Sequence, residues 1–212
     1  MSSDTDKSAW RRGGLWLALA SLATVALIVI GLATLGGEGG ASDGGDDGAG
    51  YPDSRLTLEE ATAPLEDAPP ELAALRSEAN RILTGGKRAL QDRLAELEGT
   101  PVVINKWASW CGPCIVEFPY FQEAAMELGD EVAFLGLNLQ DNREQAEQFL
   151  ERLPVPYPSY EDPDGSLSAS VKADRGAPNT VFIDAEGEIV HTRYGPYDSA
   201  QQLLDEIERY AR

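Results

Sequence analysis

The sequence predicts an α/β fold, a central mixed β-sheet flanked by helices, preceded by a transmembrane helix and a linker. Three observations carry this. Short apolar, β-branched runs alternate with amphipathic helical stretches over the C-terminal part of the chain. The earlier runs are joined through helices, which makes them parallel neighbours, whereas the last two are separated only by a turn and pair antiparallel. Near the N-terminus, Leu15 to Leu35 is an uncharged apolar run of 21 residues, about the length that spans a bilayer.

Lys7, Arg11 and Arg12 precede that run, and residues 36–50 after it carry no Lys or Arg. The positive-inside rule therefore puts residues 1–14 in the cytoplasm and everything after 35 outside. A cleavable signal peptide is the competing reading, but its apolar core is usually shorter and no A-x-A site follows. We expect a retained single-pass anchor at 15–35. Residues 36–70 read as an acidic linker. Its first part, "GGEGGASDGGDDGAG", is a coil spanning roughly 20 Å, from about 5–6 Å times the square root of residue number; residues 51–70 look irregular. Partners are expected at the membrane or close to it.

Residues 71–98 read as a helical extension. Leu72, Leu75, Ala79 and Ile82 recur at helical spacing over 71–83, and Gly85-Gly86 stops that helix. A second helix covers about 87–98, with Leu90, Leu94 and Leu97 on one face. The main domain, 99–212, opens with "PVVIN" (101–105), a run continuing through "KWA" and apolar enough for a parallel strand buried on both faces. A helix over 112–128 turns Phe118, Phe121, Ala125 and Leu128 inward, and Pro119 should bend it. "EVAFLGLNL" (131–139) is a second strand. Residues 142–153 form a helix, "YPSYEDP" is a short edge-like segment, and 166–173 holds a short helix. "NTVFID" (179–184) and "EIVHTRY" (188–194) form a hairpin about Gly187. Asp198 or Ser199 caps a last helix to about 211, with Leu203, Leu204, Ile207 and Tyr210 facing the core.

The net charge is −19, which argues against nucleic acid as a partner because phosphates would be repelled; solubility or a saline habitat accounts for it. Both cysteines, Cys111 and Cys114, stand in "WASWCGPC" (107–114), directly after the first buried strand. A C-x-x-C at such a strand-to-helix junction reads as a thioredoxin-like redox motif. Cys111 would cap the next helix, where free N–H groups and the macrodipole favour thiolate over thiol. Its pKa should fall below the free value of about 8.5, and the thiolate is the species that attacks a disulfide. Cys114, one turn along, is placed to resolve the mixed disulfide. Gly112 and Pro113 keep the turn tight and tune the redox poise. Two other readings exist. A structural bridge closed over two residues would stabilise little. Zinc needs four ligands, and the chain offers two Cys and one His, His191, itself an edge or surface residue of a strand. No metal or cofactor is expected beyond a redox-active Cys111–Cys114 disulfide.

Further candidates surround the pair. Pro178, in "GAPNT", is either an ordinary strand-start proline or a cis-proline that aims the backbone of Ala177 at the redox pair and at an extended substrate. Glu117, one turn beyond Cys114, is either a surface acid near a helix N-terminus or a partly buried acid whose raised pKa lets it take the proton from Cys114. Trp110 would flank the thiol as an apolar substrate contact, and Trp107 belongs to the core. Asn105 should end the buried strand beneath Cys114, or be a satisfied core amide.

"WASWCGPC", the "EFP" after it and "GAPNTVFID" some sixty residues on together resemble the TlpA/ResA-type membrane-anchored thioredoxin-like thiol–disulfide oxidoreductases, over roughly residues 87–212. The resemblance implies a thioredoxin fold, Cys111 as nucleophile, Cys114 as resolving thiol, Pro178 in cis and an active-site acid at Glu117. Asn105 stands where cytosolic thioredoxins carry an aspartate, which shifts proton handling to Glu117. The implied function is reduction of disulfides in exported proteins, apocytochromes among them, with a transmembrane electron donor re-reducing the pair. Running the couple in reverse as an oxidant is one alternative, and a non-catalytic docking module with a structural disulfide is another.

Overall fold

The computed structural model describes residues 51–212. The expected anchor at 15–35 and the linker part at 36–50 lie outside the described residues. Among the described residues no helix is long and apolar enough to cross a membrane.

Residues 51–70 are less irregular than expected. Thr57 accepts a hydrogen bond from the Glu60 amide while the Glu60 side chain reaches back to the Thr57 amide, a capping box that starts the short helix α1 (Leu58–Thr62). The helix expected over 71–83 ends early: α2 is Pro70–Arg76, and Ile82–Leu83 is a strand, β1. Asn80 is the reason. Its φ of 60° is left-handed, a conformation no α-helix continues through. Its side chain donates to the Leu150 carbonyl at 3.2 Å and accepts from the Val155 amide at 2.9 Å. Gly85, rather than stopping a helix, precedes α3 (Gly86–Glu96).

The remaining elements are β2 (Val102–Trp107), α4 (Gly112–Leu128), β3 (Ala133–Leu139), α5 (Arg143–Arg152), β4 (Ser159–Asp162), α6 (Ser166–Ser170), β5 (Asn179–Ile183), β6 (Ile189–Tyr194) and α7 (Ala200–Tyr210). Ser199 caps α7. The six strands order as β1-β4-β3-β2-β5-β6. The first four are parallel, and β5 runs antiparallel to both β2 and β6. This is the mixed sheet that the alternation of elements predicts, in keeping with the thioredoxin-like fold that the resemblance implies. The edge-like segment at 157–163 is not an edge, because β1 pairs outside β4. Helix α4 runs unbroken through Pro119, with the Ile115 carbonyl losing its usual amide donor there.

All six residues of β2 are buried, because both faces of the sheet are covered. Val103 and Trp107 enter one core with Phe118, Phe121, Phe149 and Leu203; Val102 and Ile104 enter the other with Leu72, Leu90, Leu135 and Leu167. Burying each such aliphatic or aromatic side chain contributes about 1.5–3 kcal/mol. Beneath the C-x-x-C loop, Trp107, Phe118 and Phe149 pack mutually, with ring centroids 4.6–5.1 Å apart.

The indole of Trp107 donates to Ser159 Oγ at 3.0 Å across Gly136 of β3. A Cβ on Gly136 would collide with that hydroxyl and lie 3.0 Å from Trp107 Nε1. Gly136→Ala should therefore destabilise the fold by about 1–3 kcal/mol, read as a lower urea midpoint at unchanged slope. An unchanged midpoint would mean that strands β3 and β4 separate enough at Gly136 to admit a methyl group.

Candidate active site

The chain leaves the sheet at Trp107 and enters α4 at Gly112, so residues 108–111 form the turn between a buried strand and a helix N-terminus. Asp141, after β3, holds that turn. Its carboxylate accepts from the Ser109 amide at 2.5 Å and the Ser109 hydroxyl at 2.7 Å, and also from Asn138 Nδ2 and the Asn142 amide, both at 2.9 Å. Four donors on one carboxylate fix where the strand delivers the cysteines.

Cys111 is the N-cap of α4, with extended backbone, and its sulfur accepts from the Cys114 amide at 3.3 Å. One of the orphan donors of the helix end is thus directed at sulfur. The two cysteines are joined as a disulfide with Cα atoms 5.3 Å apart. Both are buried, but unequally: Cys111 is 4% accessible and Cys114 is 0%, so Cys111 is the one nearer the surface. Gly112 and Pro113 are exposed in the first turn, where a proline's missing N–H costs nothing. Trp110 is exposed beside them, its indole donating to the Gln140 carbonyl at 3.2 Å. It lines a cleft of about 320 Å³ with Ser109, Tyr51, Gln145 and Gln148.

The Ala177–Pro178 peptide is cis. Pro178 is buried, and Ala177 packs half-buried against the same apolar cluster that holds both cysteines.

Glu117 is wholly buried, more deeply than the sequence suggested, and is not a surface acid. One carboxylate oxygen accepts from the Tyr197 amide at 3.0 Å; the other, Oε1, has no hydrogen-bond partner among the described residues. Burial pushes its pKa up to about 8, against the smaller opposing effects of the Tyr197 N–H and of Arg193. Arg193 is itself engaged by other groups. It pairs with Glu206 at 2.8 Å and stacks over the Tyr197 ring at 4.4 Å. Asn105 lies within β2 rather than at its end, opposite Gly136 and Thr180. Nor is it a fully satisfied amide. Its Nδ2 donates to the Tyr157 hydroxyl at 3.4 Å, while its Oδ1 is unpaired. The Tyr157 phenol is pushed far above its ordinary pKa, chiefly by burial, and the nearby Glu117 adds to that.

Asp141, Tyr157 and Tyr197 were not singled out in the sequence. Tyr197 meets Glu117 across 80 residues, and no spacing rule spans that distance. Only the "DN" of Asp141-Asn142, a turn pair ahead of a helix, was a readable signal. His191, in β6, stacks on Tyr210 with ring centroids 4.2 Å apart. Among the described residues no three His, Cys, Asp or Glu side chains converge to hold a metal ion.

Comparison with known proteins places these features. The chain is 38% identical over 125 residues to a thiol:disulfide interchange protein DsbE of Pseudomonas aeruginosa, covering 54% of this chain and 67% of that protein. It is 40% identical over 113 residues to a DsbE of Allochromatium vinosum, covering 53% and 60%. It is 31% identical over 119 residues to a thiol-disulfide oxidoreductase ResA of Oceanobacillus iheyensis, covering 56% and 59%. About a third or more of each relative's length is unmatched. The Redoxin family model matches residues 86–207, from the first residue of α3 to within α7 and through both cysteines and Pro178. With more than half of its length accounted for in this way, the chain belongs to the Redoxin family.

Proposed function

We propose that the chain is a thiol–disulfide oxidoreductase held at the outer face of a membrane by residues 15–35, and that it reduces disulfides of exported proteins. The observation carrying this is the asymmetry of the pair: Cys111 capping α4 and nearer the surface, a fully buried Cys114 behind it, and one turn further on a buried acid with one carboxylate oxygen unpartnered. The relatives named above, each called an interchange protein or oxidoreductase, support the same reading.

In the reaction, the Cys111 thiolate attacks one sulfur of a substrate disulfide, and the other substrate sulfur leaves as a thiolate and takes a proton. Cys114 gives its proton to Glu117 and attacks the Cys111 sulfur. The second substrate thiolate departs, leaving the substrate reduced by two electrons and the Cys111–Cys114 pair oxidised. Trp110, Gly112, Pro113 and the Ala177–Pro178 backbone form the surface on which the substrate chain lies. A dithiol donor in the membrane returns the pair to the reduced state. Apocytochromes awaiting haem are one substrate class that fits this chemistry.

The test is direct. In the reduced full-length chain, Cys111 should titrate below the ~8.5 of a free thiol, alkylate severalfold faster than free cysteine at pH 7, and catalyse reduction of insulin. An ordinary thiol pKa combined with no insulin reduction would refute the assignment. A couple with a reduction potential near −120 mV would make it an oxidant, whereas one well below −200 mV makes it a reductant.

A further inference from the structure

Strand β2 carries one residue that its pattern does not explain. Positions 102, 104 and 106 point to the same side of the sheet. Val102 and Ile104 fill the apolar core there, but position 106 is a lysine, 3% exposed. Lysine is almost never buried without a partner, and taking an ammonium out of water costs several kcal/mol. Its Nζ donates to the Ala173 carbonyl at 2.7 Å and to the Arg175 carbonyl at 2.9 Å. The same residue pairs through its backbone with Asn179 of β5. One residue therefore grips the chain on both sides of Pro178: five and three residues before it through the side chain, and one residue after it through the strand.

A second tie lies on the outside. The Tyr194 hydroxyl donates to the Lys172 carbonyl at 3.1 Å, and the Arg175 guanidinium stacks over the Tyr194 ring at 4.5 Å. Lys172 itself has a left-handed φ of 59°. Between these ties the segment 174–176 is exposed. Without them its peptide groups would be free to drift, because it packs no large side chain into either core.

We propose that Lys106, assisted by Tyr194, is a positioning residue for substrate docking: it holds segment 172–177 so that the backbone at Ala177–Pro178 presents a fixed edge to an extended polypeptide beside Cys111. This rests on the oxidoreductase reading given above. The mechanism separates two kinds of substrate. A protein disulfide must lay its flanking chain on that edge, so a loosened segment weakens its docking; misplacement by about 1 Å costs up to ~10²-fold in rate. A small disulfide has no flanking chain and meets only Cys111.

The experiment compares insulin with oxidised glutathione as substrates of the full-length chain, with dithiothreitol regenerating the dithiol. Lys106→Met should raise KM for insulin about tenfold with kcat within about twofold, and leave kcat/KM for oxidised glutathione within about twofold. Tyr194→Phe, at an exposed site where folding is not at stake, should show the same split at about threefold. Equal losses on both substrates, or an unchanged insulin KM, would overturn the inference; if Lys106→Met does not fold, Tyr194→Phe decides it. A wild-type chain inert toward both disulfides would instead remove the oxidoreductase reading, and this inference with it.

Discussion

Cys114→Ser is expected to stop the cycle with the substrate still attached. The first attack needs only the Cys111 sulfur, which the Cys114 amide and the start of α4 continue to stabilise. A serine hydroxyl cannot displace the captured chain, so mixed disulfides through Cys111 accumulate. Essentially all multiple-turnover reduction should be lost, while single-turnover capture proceeds near the wild-type rate. Under non-reducing electrophoresis, adducts should appear in cells expressing the variant and vanish when Cys111 is also replaced. Absence of adducts while the variant is folded would contradict the assigned order of the two thiols. The identity of the captured proteins would also test the proposed substrates, including apocytochromes.

Glu117→Gln should separate the two chemical steps. Proton transfer by a positioned side chain contributes about 10²–10⁴-fold, so resolution of the mixed disulfide should slow by roughly 10²-fold, with the first attack within about twofold. In the wild type, resolution should speed up as pH approaches about 8, where Glu117 loses its proton and becomes able to accept another; the variant should lack that inflection. Equal slowing of both steps would argue that the acid shapes the site as a whole. Stability gives a second readout. The carboxyl ionises near 4.3 in the unfolded chain but only near 8 in the folded one. Between these values the folded state binds the extra proton, so stability falls as pH rises from about 4.5 to 8 and levels off above that. Glu117→Gln should remove this decline and be the more stable protein at pH 8 by a few kcal/mol. A wild-type profile that is flat over this range would mean that the acid is solvated.

Much of the site could be read without coordinates because it is local. Cys111, Gly112, Pro113 and Cys114 are consecutive, and a buried strand running into a helix is enough to place a sulfur at a helix N-terminus. The hairpin at 179–194 and the last helix were equally readable, since period-2 and period-3.6 patterns report on neighbours along the chain. The failures were of another kind. Apolar spacing over 71–83 suited a helix, and what broke it was Asn80, whose left-handed turn is held by carbonyl and amide groups of residues 150 and 155. The strand does continue past Asn105 into "KW", as the apolar run suggests, so Asn105 sits inside β2, paired to Gly136 of β3 and Thr180 of β5, and not at a strand end.

From the sequence alone came the α/β class, the cysteine pair with the redox chemistry proposed for it, and the expectation of a membrane anchor, because propensity, periodicity and motif spacing are properties of short stretches. The tertiary structure decided which cysteine lies deeper, that Glu117 is sealed from water while Arg193 pairs with Glu206, and that Lys106 reaches across to the segment before Pro178. Burial and electrostatics are sums over groups brought together from distant parts of the chain, and no stretch of sequence contains that sum.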